Sequence, residues 1–348
     1  MKELNICLTP DNKYVKPCIA TMQSICIQNC DSAKVKFHIL EGGLTDSNIE
    51  QMRKIIGYHK NANIRFIRVD DKQFSEFYTS NWGTAATYRF KIGQLLTDLD
   101  RVLYIDSDTI IKGSLEELYF TDLKNNVMAM VPDIWSDKQL KRFPNKKQPY
   151  FNTGVCLINL KKWRDEKIDI QLIEYHRAHL SECFFPDQDP INAVLDSRIY
   201  ELDYKYNFCW HWDRNDYFLK NGEQSINDAV IVHYIFNKPW WSTCIHPYAN
   251  FYYDIIETLP EEVKIFCKCT QKQRINKVKF TLFKFLPFIK HTNYYRIKDW
   301  RLFGFIPLLK IQKNGNEHKY YVFGLETISI VSDKTGPDVE LIKDFARY

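Results

Sequence analysis

Short apolar runs of strand length alternate with stretches of helical period over the first 250 or so residues. Residues 5–10 (NICLTP) and 34–43 (KVKFHILEGG) read as strands, and 15–30 (VKPCIATMQSICIQNC) reads as a helix that tolerates Pro17 in its first turn. The segment 44–59 then places Ile49, Met52, Ile55 and Ile56 on one helical face, and 63–69 (NIRFIRV) extends again. Further strands are expected at 101–105 (RVLYI), 126–132 (NVMAMVP), 155–160 (VCLINL) and 229–234 (AVIVHY). This alternation predicts an α/β fold, a mainly parallel sheet with helices on both faces. Ligands of such sheets gather outside the carboxyl ends of the strands. Asp11 follows the first strand, Asp106 and Asp108 the fourth, Asp133 the fifth, and His233 ends the last, so these residues are expected to share one rim.

Composition adds three constraints. With 348 residues, 45% hydrophobic and 26% charged, the chain is a folded protein rather than a disordered one, with room for a large domain and a smaller piece. No run approaches the roughly 18 apolar residues of a membrane-spanning helix, and MKELNICLTPDNK at the start carries no apolar stretch of a secretory leader. Ten cysteines are scattered through apolar runs without a repeated spacing, and Cys267 and Cys269 are too close for a metal knuckle. Buried free thiols in a reducing cytosol are expected.

The net charge of +5 is concentrated late in the chain. Between Pro260 and Lys310 there are twelve Lys or Arg against three acidic residues, which divides the chain into an α/β domain (1–258) and a basic, aromatic region (259–348). FTLFKFLPFIK (280–290) combines aromatics with flanking bases. It suits peripheral contact with an anionic membrane, and equally a subdomain that packs its Phe residues on the core. WRLFGFIPLLKI (300–311) and YYVFGLETISI (320–330) echo each other, and KNGNEHK between them favours a hairpin of two short strands. The aromatics sit in a setting too apolar to stack bases, so no nucleic acid partner is expected.

The chemistry centres on RVLYIDSDTIIKGS (101–114). Asp-x-Asp occurs three times, at Asp98/Asp100, Asp106/Asp108 and Asp187/Asp189, so the pattern alone selects nothing. Asp98 and Asp100 fit a solvated helix end. Asp106 and Asp108 end an apolar strand, where unpaired charge is costly. They read either as turn-forming or capping residues or as hard ligands of Mg²⁺ or Mn²⁺ holding a phosphorylated molecule.

These residues stand in a longer series: YRFKIGQLLTDLDRVLYIDSDTIIKGSLEELY (88–119), FNTGVCLINLKKW (151–163), FPDQDPINAVL (185–195) and VHYIFNKPW (232–240). In order and spacing they resemble the family 8 glycosyltransferases, retaining metal-dependent enzymes of the GT-A fold typified by bacterial lipooligosaccharide galactosyl- and glucosyltransferases. The resemblance spans roughly residues 1–250. It implies transfer of a hexose from a UDP-sugar to a hydroxyl of a glycan or lipid-linked saccharide acceptor in surface-polysaccharide or lipopolysaccharide synthesis, by a cytoplasmic enzyme at the inner face of the cytoplasmic membrane.

By the same resemblance, Asp106, Asp108 and His233 are the ligands of a Mn²⁺ or Mg²⁺ ion. Asp11 meets the uracil and Tyr14 stacks on it; Thr9 and Ser107 lie in the same motifs. Arg89 meets the donor sugar or diphosphate, Asn152, Thr153 and Gly154 line the sugar pocket, and Asp133 reaches sugar or acceptor hydroxyls. Asp187 and Gln188 flank the anomeric carbon, while Asp189 orients the following helix. Lys238 neutralises diphosphate charge. In this last motif the chain departs from the family's HxxGPxKPW: HYIFNKPW has five steps from His to Lys and no glycine, so the loop is expected to follow another path and to lack a backbone donor. The acidic pair also suits a metal-dependent sugar-nucleotide hydrolase or nucleotidyltransferase, or a non-catalytic nucleotide- or glycan-binding relative.

Overall fold

The computed structural model describes residues 1–70, 84–211, 226–241, 244 and 246–268, and beyond them the backbone of six strands between 276 and 331. Two compact units emerge: Met1–Pro239 with Ile245–Cys269, and Trp240–Cys244 with Thr270–Tyr348. The first unit runs about ten residues past the change in composition at 258. Helix Glu261–Lys268 packs on it, with Glu262 paired to Lys54 at 3.0 Å.

The first unit is built on a seven-stranded sheet. In chain order its strands are β1 (Lys2–Leu8), β2 (Ala33–Glu41), β3 (Ala62–Arg68), β4 (Arg101–Ile105), β6 (Met128–Pro132), β7 (Phe151–Asn159) and β8 (Ile199–Glu201), arranged β3-β2-β1-β4-β7-β6-β8. Pairs among β3, β2, β1 and β4 are parallel, as is β6 with β8, but β7 runs antiparallel to both its neighbours. Adjacent residues of a strand face opposite sides, and Ile6 with Cys7, or Leu103 with Tyr104, are all at most 1% exposed. Both faces are therefore covered, as the unbroken apolar runs predict.

Two strands differ from expectation. The expected strand 155–160 begins at Phe151, so FNTG is part of β7 rather than a preceding loop. The segment expected as the last strand of the main sheet is β10 (Ile231–His233), in a separate three-stranded sheet between β5 (Thr109–Ile111) and β9 (Phe208–Cys209). Periodicity reports that a segment extends, and the choice of partner belongs to tertiary packing.

Helix α1 (Val15–Asn29) is buried on nearly every side, which explains its weak amphipathic pattern. Its polar residues are satisfied by the strand beside it. The Thr21 hydroxyl lies 2.8 Å from Thr109 O and 3.0 Å from Ser107 O, Ser24 Oγ accepts from Ile111 N, and Asn29 Oδ1 accepts from Leu115 N. Helix α2 (Asp46–Gly57) starts at an N-cap, Thr45, which accepts from Asn48 N.

The second unit is a six-stranded antiparallel meander: β11 (Asn276–Leu282), β12 (Leu286–Tyr294), β13 (Ile297–Leu302), β14 (Ile306–Asn314), β15 (Glu317–Val322) and β16 (Leu325–Val331). The two short strands expected here are corrected to four, because each echoing segment crosses a turn: 300–311 spans β13 and β14, and 320–330 spans β15 and β16. The echo has a third, earlier copy. Register shifts fall at Phe280/Thr281, Trp300/Arg301 and Tyr320/Tyr321, twenty residues apart each time. The unit is three tandem hairpins with a bulge at one repeat position, and bulges at fixed places set twist and register.

Candidate active site

After Asp106-Ser107-Asp108 the chain turns apolar again as β5. β5 pairs antiparallel with β10, setting Thr109 opposite His233. A ligand atom from each of Asp106, Asp108 and His233 lies within 4.8 Å of the others. His233 Nε2 stands 3.2 Å from Asp108 Oδ1 and 3.8 Å from Asp106 Oδ2. Asp108 Oδ1 is buried and accepts no hydrogen bond. Two carboxylates, an imidazole and an unsatisfied buried oxygen make a donor set suited to a divalent cation.

The groups around the trio are charged and buried. Arg89, 3% exposed, reaches Asp106 Oδ1 at 3.1 Å, Asp187 Oδ2 at 3.2 Å and Thr153 O at 2.5 Å, and lies over the Tyr104 ring at 4.2 Å. Tyr104 donates to Asp106 Oδ1 at 2.8 Å, and its oxygen lies 2.8 Å from Thr9 Oγ1. Lys238 pairs with Asp108 Oδ2. Burial opposes ionisation of Asp108, but the Lys238 and His233 charges hold its carboxyl well below the usual range. Burial likewise opposes charging His233, and Asp108 overrides it, carrying the imidazole up to about 10. Burial raises Asp133 and Asp187, the latter against the pull of Arg89.

A second chain of hydrogen bonds runs behind the trio. His233 Nδ1 lies 3.0 Å from Asn207 Oδ1, and Asn207 Nδ2 donates to Asn152 Oδ1 at 2.8 Å. Asn152 in turn donates to Asp133 Oδ2 at 3.1 Å, where Gln188 Nε2 also arrives at 3.3 Å. Gln188 Oε1 accepts from Thr153 N, and Thr153 Oγ1 donates to Asp187 Oδ2 at 2.9 Å. Gly154 leaves no room for a side chain, since a Cβ there would lie 2.6 Å from His233 Nδ1.

Most residues singled out in the sequence thus join one network. Ser107 accepts from the Thr21 hydroxyl with its carbonyl oxygen. Asp11 is exposed and closes a turn by accepting from Lys13 N and Tyr14 N. After burial, the charges of Asp108, Asp11 and Asp106 raise the Tyr14 phenol. Asp189 ties down the segment before its helix, accepting from Phe184 N and Arg142. Tyr104 and Asn207 were not anticipated. Tyr104 stands two residues before Asp106, on the same side of its strand by the alternation rule, a legible signal; Asn207 lies in YKYNFCW, where no pattern marks it.

The loop after His233 keeps a tight turn without glycine. Asn237 N bonds to Ile235 O at 2.7 Å across Phe236, whose φ is +59°.

An α/β sheet with an acidic pair at a strand end, an imidazole brought in by a second sheet and a buried arginine beside them fits the arrangement that the sequence resemblance implies. Residues 5–244 match the family described as glycosyl transferase family 8, and the chain belongs to it. Among its relatives, "General stress protein A" of Bacillus subtilis is 26% identical, covering 72% of this chain and 92% of that protein. The lipopolysaccharide 1,2-glucosyltransferase of Escherichia coli K12 is 27% identical over 74% of this chain and 78% of its own. Among solved structures, the galactosyltransferase LgtC in complex with donor and acceptor sugar analogs superposes with a TM-score of 0.66 at 26% identity, covering 74% of this chain and 98% of that one.

Proposed function

We propose that the protein is a retaining hexosyltransferase that moves galactose or glucose from a UDP-sugar to a hydroxyl of a glycan or lipid-linked saccharide acceptor in lipopolysaccharide or related surface-polysaccharide synthesis. The observation that carries the reading is the convergence of Asp106, Asp108 and His233 beside Arg89 and Asp187.

Asp106, Asp108 and His233 would hold Mn²⁺ or Mg²⁺, which when bound would supply Lewis-acid stabilisation of the departing UDP. Arg89 and Lys238 add fixed positive charge on the side where the phosphate leaves. Lys238, paired with Asp108 here, is the group positioned to turn to the diphosphate. Asp11, Tyr14 and Thr9 receive the nucleoside at the end of β1, with Ser107 in the segment beside them. Asn152, Thr153 and Gly154 line the sugar pocket, and Asp133 and Gln188 meet hydroxyls.

A carboxylate nucleophile would make retention a double displacement. Asp187 Oδ2 is already engaged by Arg89 and Thr153, which supports a positioning role. The acceptor then attacks on the leaving group's own face, and the phosphate oxygen takes its proton. A covalent hexose trapped on Asp187 overturns this order of events.

The excess of basic residues between 260 and 310 supports peripheral contact with an anionic lipid surface at the inner face of the cytoplasmic membrane. Among the described residues no helix is long and apolar enough to cross a membrane. The nine cysteines among the described residues are all free, in keeping with a reducing compartment.

The test is a panel of labelled UDP-sugars with Mn²⁺, following hexose on an acceptor glycan and UDP release together. Asp108→Asn is expected to lose about two or more orders of magnitude of both. Hexose appearing only in water favours the hydrolase, and no UDP release from any donor defeats the reading.

A further inference from the structure

Among the described residues a second cluster of metal-ligating side chains stands apart from the active site. A ligand atom from each of Cys26, Cys30 and His59 lies within 4.8 Å of the others. Cys26 belongs to α1 and Cys30 is its C-cap, so the two thiols are four residues apart and share one face of the helix. His59 comes from the turn between α2 and β3, brought to them by the packing of the core. The cluster is remote from the Asp11 turn that precedes α1, since Val15 and Cys26 stand about 17 Å apart along the helix axis.

The surroundings hold the imidazole as a ligand would need it. His59 Nε2 lies 2.8 Å from Gln23 Oε1, while Gln23 Nε2 donates to the carbonyl of Thr258 at 3.3 Å and to its hydroxyl at 3.0 Å. A carbonyl only accepts, so the amide oxygen is the end turned to the ring. His59 Nε2 therefore donates to Gln23, and Nδ1 is the nitrogen left without a hydrogen-bond partner among the described residues. An outer partner on the second nitrogen is the usual companion of a metal-bound imidazole. Asn61 fixes the same turn against the end of α1, donating to Cys30 O at 2.7 Å and accepting from Val35 N. The last turn of α1 carries no basic residue, which leaves the negative end of the helix dipole to a cation. Cys26 and Cys30 are buried and His59 is half-buried, so the approach is from the His59 side.

We propose that Cys26, Cys30 and His59 form a Zn²⁺ site that ties the end of α1 to the turn before β3, with the fourth position open to solvent. Around tetrahedral Zn²⁺, with bonds of about 2.3 Å to sulfur and about 2.0 Å to nitrogen, ligand atoms stand about 3.5–3.8 Å apart. Atoms already within 4.8 Å of one another reach that spacing by small side-chain adjustments. The thiol protons pass to solvent as the metal enters. Two thiolates and an imidazole select Zn²⁺ over the harder Mn²⁺ or Mg²⁺ suited to the carboxylates of the active site. The site is independent of the hexosyltransferase reading.

The experiment titrates the full chain, reduced and stripped of metal, with Co²⁺ as a spectroscopic substitute for Zn²⁺. Thiolate-to-cobalt charge-transfer absorption is expected in the near ultraviolet, a signal that the carboxylates and imidazole of the active site do not give, and added Zn²⁺ should discharge it. Asp108→Asn should keep the band. Gln23→Leu is expected to weaken binding about 10–100-fold, and Cys30→Ser or His59→Ala by more, each with its circular dichroism spectrum retained. Zn²⁺ should raise the Tm of Asp108→Asn and leave that of the Asp108→Asn, Cys30→Ser double variant unmoved. Absence of the band in the reduced wild type, or a band of unchanged affinity in Cys30→Ser and His59→Ala, overturns the site.

Discussion

Asn207 Oδ1 lies 3.0 Å from Nδ1 of His233, and Asn207 Nδ2 is committed to Asn152. Because Asn207 has turned its only acceptor to the ring, Nδ1 of His233 donates to it, and Nε2 is the nitrogen left facing the two carboxylates. An outer partner of this kind fixes both tautomer and orientation of an imidazole ligand. Asn207→Leu is expected to weaken Mn²⁺ binding about 10–100-fold, and Asn207→Asp, which still accepts from Nδ1, to weaken it less. Calorimetric titration with the ion alone checks both.

Gly154 abuts the same ring at Cε1 and Nδ1. A Cβ would intrude to 2.6 Å from Nδ1 and to 3.0 Å from Asn152 Oδ1. Gly154→Ala should displace His233 and lower metal affinity at least as far as Asn207→Leu does, with the circular dichroism spectrum retained.

Arg89 bridges Asp106 and Asp187, and its planar fork cannot be replaced by a single ammonium. Arg89→Lys is expected to lower kcat about 100-fold or more, with a smaller change in donor KM. It should also lower stability, because one ammonium cannot pair with both carboxylates and fill the guanidinium's other hydrogen bonds at once. Urea unfolding and steady-state kinetics on one preparation test the pair.

Two buried histidines predict a loss of stability on mild acidification. Burial holds His38 down to about 4 and His246 down to about 3 from an ordinary 6.5. His38 Nδ1 accepts from Arg65 Nε at 2.6 Å, and His246 Nδ1 accepts from Tyr248 N, so neither ring can gain a proton without losing a bond. Below pH 6.5 the unfolded chain takes up protons that the folded chain does not, so stability falls with pH until the folded values are reached. Between pH 7 and 5.5 the loss should be roughly 1 kcal/mol per histidine, measured by urea unfolding. His246→Gln should remove one histidine's share, while His233, held up at about 10, returns part of the loss over the same interval. Asp133 and Asp187, raised by burial, act with the opposite sign.

The tandem hairpins predict a deletion that the second unit tolerates. Removing residues 303–322 joins Leu302 to Phe323 and takes out one twenty-residue repeat with its bulge. The shortened chain is expected to keep its strand signal per residue and its cooperative melt. Removing ten residues, 303–312, leaves a remnant with the wrong strand direction and should cause aggregation through an unpaired edge.

Much of this was legible in the chain itself. The alternation of periods determined the first strands and helices, because burial on both faces of a parallel sheet demands unbroken apolar runs. Asp106, Asp108 and His233 were identifiable from their motifs, and Arg89, Asp187 and Gln188 from theirs. The sequence did not decide that β10 leaves the main sheet to pair with β5, or that β7 reverses so that Asn152 and Gly154 reach the rim. Nor did it mark Asn207 behind His233, or His59 beside Cys26 and Cys30. Local propensity acts within a few residues, whereas these features depend on which distant backbone edge or side chain arrives at 3 to 5 Å. That is settled when the whole core closes and each buried polar group takes the partner left within its reach.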